Sequence, residues 1–115
     1  MKNFTKEAEK LLKKKKINKL PYSNHNNYES DYDDGYNQAI DDCIPIVANL
    51  LKQIDELEAG SIEKVGVKDI EKNIKIMSDE KIEKAPNPEY AGAYNQGKFD
   101  VLMEIKRLNK LKEKE

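Results

Sequence analysis

The chain contains one phrase twice. "YDDGYNQ" at residues 32–38 returns 58 residues later as "YAGAYNQ" at 90–96, so Tyr-x-x-x-Tyr-Asn-Gln occurs in two places. Beyond the phrase the correspondence continues: Asp42 matches Asp100, Val47 matches Ile105 and Leu50 matches Leu108. Each copy also carries two small residues four apart, Gly35/Ala39 and Ala93/Gly97. Four residues is about one helical turn, so each pair cuts a notch into one face of a helix. Glycine inside a helix costs about 1 kcal/mol relative to alanine, so its use suggests the close approach of another backbone. The spacing therefore predicts two helices that cross through matched notches with approximate two-fold symmetry. A homodimer crossing is the competing arrangement. Small-x-x-x-small pairing is best known in membranes, so its use here is argued from geometry.

Around this crossing the apolar periodicity outlines a mostly α domain spanning residues 1–115. Residues 31–59 read as one long helix whose stripe is Tyr32, Tyr36, Ala39, Ile40, Cys43, Val47, Leu50, Ile54 and Leu57. Pro45 lies inside that stripe and frees the Asp41 carbonyl, which predicts a kink; Gly60 is a natural terminator. A second repeat-bearing helix covers 88–112, with Tyr90, Tyr94, Gly97, Val101, Ile105 and Leu108 along its face. A short basic helix is expected over 4–17, capped by Thr5, within an N-terminal arm of residues 1–19. Residues 61–85 fit a helix through Val67, Ile70, Ile74 and Met77, although "NIKIM" alternates like a minor strand. "APNPEY" breaks the chain before the last helix.

Charge is unevenly distributed. Residues 1–19 hold eight lysines against two glutamates, whereas residues 20–59 hold nine acids against Lys52 alone. The two regions are expected to attract each other or partners of opposite sign. Lysines 10 and 13–16 form a dense basic run that suits salt-sensitive contact with phosphates. However, Arg107 is the one arginine, and lysine is the weaker choice for bidentate recognition of phosphates or guanine edges. There is no apolar run of membrane-spanning length and no secretory leader pattern at the start. With Cys43 as the one cysteine, the expected setting is the cytoplasm.

Little in the chain supports catalysis. His25, the one histidine, lies in an Asn-rich connection, and Cys43 falls on the apolar stripe. A zinc site needs more cysteine and histidine than the chain has. "DYDDG" gives a poor calcium loop: with Gly35 sixth, the first, third and fifth positions are Ser30, Tyr32 and Asp34. Asp55 and Glu58 offer a paired-acid spacing without the remainder of a magnesium site. No phosphate-binding glycine loop or nucleophile elbow occurs. The expectation is a protein that is not an enzyme, has no cofactor and holds no metal.

The phrases "GYNQAIDDCI" and "AYNQGKFDVL" resemble those of short helical proteins encoded by phages and prophages of low-GC bacteria. That resemblance implies an interaction protein that binds and inhibits or sequesters a host factor, including a defence component as anti-CRISPR proteins do. It transfers no catalytic residue. The acids that the second copy lacks, Asp33, Asp34 and Asp41, together with Asp31, mark a face for a host protein with a basic surface. Tyr22, Tyr28 and Tyr32 would add contact area. Two alternatives remain open. One is a nucleic-acid-binding accessory protein using Lys10, Lys13, Lys14, Lys15 and Lys16. The other is a sponge for a small nucleotide signal, its pocket built from Tyr36, Asn37, Tyr94 and Asn95.

Overall fold

The computed structural model describes residues 2–17 and 27–113, with side chains except at 27–30 and 111–113. Among the described residues six helices follow in order: α1 (Phe4–Lys13), α2 (Asn27–Asp42), α3 (Ile44–Glu58), α4 (Val67–Glu71), α5 (Asp79–Glu83) and α6 (Pro88–Glu113). No strand occurs among the described residues. The expected mostly helical class is what the chain adopts, and the strand alternative for 61–85 gives way to α4, α5 and an irregular stretch between them.

Local chemistry sets most boundaries. Asn3, not Thr5, caps α1: its side-chain oxygen accepts from the Lys6 backbone N–H at 3.0 Å. α1 also stops at Lys13, four residues short of the expected end. Lys15 N–H and Lys16 N–H turn back to the carbonyls of Leu12 and Lys13, which tightens the chain towards Ile17. The long helix expected over 31–59 is divided at Cys43 into α2 and α3, with Pro45 in the first turn of α3. Proline has no N–H for the Asp41 carbonyl, so the bend falls where the regular ladder cannot continue. At the far end of α3, Gly60 takes φ +79°, the Ser61 N–H reaches Glu56 O at 2.8 Å and the Gly60 N–H reaches Leu57 O at 3.1 Å. That is a Schellman stop, and the positive φ is why glycine stands there. Asn87 begins α6 by accepting from the Tyr90 N–H at 3.2 Å, with Pro88 in the first helical position.

The helices pack as two pairs, α2 against α6 and α1 against α3. Ala8 and Leu12 of α1, Val47 and Leu50 of α3, and Ile40, Val101 and Ile105 are fully buried in one core, joined by Ile70 of α4 and by Ile74. Burying a side chain the size of Leu12 stabilises by about 1.5–3 kcal/mol. So α1 is seated on the body of the protein by its apolar side.

The α2–α6 contact is the crossing that the small residues imply. A Cβ built on Gly35 would lie 2.5 Å from the Tyr90 carbonyl oxygen and 3.3 Å from the Ala93 Cβ. One built on Gly97 would lie 2.7 Å from the Ala39 Cβ and 2.9 Å from the Tyr36 carbonyl oxygen. Gly35 thus meets Ala93, and Gly97 meets Ala39, each residue facing its own counterpart 58 positions away. Residues lying on a two-fold axis that relates the copies would meet in this way. The crossing is made within one chain.

Candidate functional site

The polar residues of the doubled phrase are absorbed by the fold, and they are absorbed twice in the same way. Tyr36 donates its hydroxyl across the crossing to Asp100 Oδ2 at 2.5 Å, and Tyr94 donates to Asp42 in the reciprocal direction. Each aspartate also accepts from the glutamine of its own helix, Gln38 to Asp42 at 2.7 Å and Gln96 to Asp100 at 2.9 Å. Tyr32 stacks on Tyr36 and Tyr90 on Tyr94, both with ring centroids 6.4 Å apart. Burial of each ring, followed by the hydrogen bond to its aspartate, raises the phenol pKa of Tyr36 and of Tyr94.

The asparagines act as backbone clamps. Asn37 Oδ1 accepts from the Ile17 N–H at 2.8 Å and its Nδ2 donates to the Ile17 carbonyl at 3.0 Å. Asn95 holds Met77 by the same two bonds, at 2.6 and 3.2 Å. A side-chain carboxamide presents its C=O and one of its two N–H bonds side by side, so it can pair with both the N–H and the C=O of one residue in a non-helical segment. Tyr36, Asn37, Tyr94 and Asn95 therefore converge on the crossing, and their polar groups are engaged by this chain.

The acidic face is also engaged in part. Asp41 pairs with Lys16 at 2.5 Å, and Asp31 accepts from Asn87 at 3.3 Å. Tyr32, on the rim, stays 39% exposed, and Asp34 lies on the outer side of α2. Tyr22, His25 and Lys19 lie outside the described residues, as does the side chain of Tyr28.

The basic run divides into two sets. Lys15 reaches Glu104 at 3.5 Å and Lys16 reaches Asp41, so the end of the arm is fastened to both repeat helices. Arg107 and Lys15 converge on Glu104 and hold its carboxyl below the usual range, chiefly through the Arg107 hydrogen bond. Lys10, Lys13 and Lys14 point outwards and are exposed.

Two further groups remain, one buried and one exposed. Cys43 is buried, and burial pushes its thiol up to about 11, which leaves it poorly nucleophilic. No group of three or more metal-ligating side chains occurs among the described residues. On the outside of α6, Phe99 is 50% and Met103 53% exposed, one turn apart. At 100° per residue they lie opposite the buried line of Ala93, Gly97, Val101 and Ile105. Sequence reasoning passed over them because it followed the buried stripe. Their signal was present: Phe99 stands where the first copy has Asp41, and Met103 where it has Pro45.

No helix among the described residues is long and apolar enough to cross a membrane. In comparisons with protein-family models, with curated proteins and with solved structures, nothing matches this chain.

Proposed function

We propose that this chain is a binding protein, not a catalyst, of the phage-encoded kind: it occupies a surface of a host protein and so inhibits or sequesters it. A defence component is the target class that the resemblance of its repeated phrase suggests. The observation that carries the reading is the half-exposed pair Phe99 and Met103 on the outer face of α6. Aromatic residues and methionine are enriched at protein interfaces, and a clustered pair on an otherwise polar helix face suits such a contact. Lys106 and Lys110 continue the same face, so the partner surface that fits is an apolar pocket with acids beside it. The rival surface is the acidic face of Asp31, Asp33, Asp34 and Asp41 with Tyr32, which suits a basic partner.

The small-ligand reading has less support, since the tyrosines and asparagines at the crossing hydrogen-bond within the chain. The test is affinity capture from host lysate with three baits: the native chain, a Phe99→Asp/Met103→Lys variant, and a variant with the four aspartates changed to alanine. Phe99 is half exposed and the first copy carries aspartate at the equivalent position, so Phe99→Asp is expected to leave the fold intact. A defined host protein captured by the native chain and the aspartate variant, and lost from the Phe99/Met103 variant, supports the α6 face. Loss from the aspartate variant alone moves the site to α2. Equal capture by all three overturns both surfaces.

A further inference from the structure

We propose a second, independent surface: the outer ridge of α1, formed by Lys6, Lys10, Lys13 and Lys14, which binds the phosphate backbone of nucleic acid without reading its sequence. The proposal does not rest on the α6 surface. It starts from how the fold sorts the lysines. Lys2 at one end of α1 pairs with Asp55, and Lys15 and Lys16 at the other pair with Glu104 and Asp41. Between these anchors, Lys6, Lys10, Lys13 and Lys14 are exposed, and none lies within ion-pair distance of an acid among the described residues. Glu7 and Glu9 flank the row on α1 itself.

The row is regular. Positions 6, 10, 13 and 14 fall on one side of a helix, opposite Ala8 and Leu12, which are fully buried against the body. At 1.5 Å per residue the four ammonium stems span about 12 Å along the axis. One DNA strand places about three to four phosphates along that length at 3.4 Å each. The anchored helix therefore presents four cations over a span comparable to four phosphates. Lysine provides point charges without the planar fork that reads guanine, which suits contact to the backbone and not to base edges.

Other polyanions fit less well. A membrane-surface helix needs an apolar face to insert, and that face of α1 is already buried in the core. An acidic protein partner would need an apolar centre between the charges, whereas Leu11, the one large apolar neighbour of the row, is half-buried at its edge.

Fluorescence anisotropy of the full chain with a labelled duplex of unrelated sequence tests the proposal. With three to four phosphate contacts, log K should fall against log salt with a slope of about −2.7 to −3.6. Raising salt from about 50 to about 200 mM should then weaken binding roughly 40- to 150-fold. Lys6→Gln/Lys10→Gln/Lys13→Gln/Lys14→Gln should flatten the slope towards zero while keeping the native helical circular dichroism. A matched variant, Lys68→Gln/Lys72→Gln/Lys81→Gln/Lys84→Gln, removes the same charge from α4, α5 and their flanks and should retain the native slope. Absence of binding at the low salt overturns the proposal, as does equal weakening by the two variants. Sedimentation with anionic phospholipid vesicles in the absence of DNA binding overturns it in favour of a lipid surface.

Discussion

The two copies of the phrase are alike where they face each other and unlike where they face outwards. At the crossing, Gly35 and Ala39 repeat as Ala93 and Gly97, and the Tyr–Asp and Asn–backbone pairs repeat bond for bond. On the outside, Asp41 of the first copy is bound to Lys16, whereas Phe99 in the same position of the second is half exposed. The shared half is constrained because two backbones in contact leave no room for change. The outer half is free to diverge, so differences that persist there are where binding is sought. The repetition is a packing device used twice, and the surface around it is not.

The most damaging way to test the shared half is to fill the notches. Ala39→Leu with Gly97→Leu places large side chains where a Cβ already meets backbone, and is expected to prevent folding, seen as loss of a cooperative melt. Gly35→Ala alone puts a Cβ 2.5 Å from the Tyr90 carbonyl, so α6 must move. A cost of about 1–3 kcal/mol by urea unfolding is expected. A native melt for the double leucine variant would show that the helices do not cross here.

Next in size are the clamps. Asn37→Ala and Asn95→Ala each remove two bonds from a part-buried backbone segment and should destabilise by about 1–3 kcal/mol. Hydrogen exchange should accelerate at Ile17 in the first variant and at Met77 in the second. If either variant leaves both amides unchanged, the two clamps are not equivalent.

The tyrosine hydroxyls come third. Tyr36→Phe and Tyr94→Phe each delete a bond to a carboxylate and should cost about 1–2 kcal/mol apiece, similar to each other if the symmetry is energetic as well as geometric. Both phenol pKa values are raised in the folded state, so the protonated form is the one that the fold favours. The stability this gives is complete below the unfolded phenol value near 10 and is lost as pH rises above it. Denaturant midpoints should therefore fall above about pH 10 in the native protein, and less so in the double phenylalanine variant.

The smallest effect is expected from the outer half. Lys16→Ala breaks a partly exposed pair with Asp41 and should cost well under about 1 kcal/mol, diminishing further in high salt. A larger loss would mean that the arm is held by charge and not by Ala8, Leu12 and the Asn37 clamp.

Much of this was determined by the sequence alone. The 3.6-residue stripe, the doubled small residues, Pro45 and Gly60 specify the helices, their bend, their stop and the fact of a crossing, because each is a local or periodic property of the chain. Other features were decided only in three dimensions. Asn37 and Asn95 are legible as flanking amides, but what they clamp, at Ile17 and Met77, depends on segments 20 and 18 residues away returning to the crossing. The lysine run reads as one block, yet the fold assigns Lys15 and Lys16 to internal pairs and leaves Lys10, Lys13 and Lys14 outside. Phe99 and Met103 gain meaning only once the opposite side of α6 is seen to be buried. In each case the reason is the same: a hydrogen bond, an ion pair or an exposed face belongs to two segments at once. Sequence spacing describes one segment at a time.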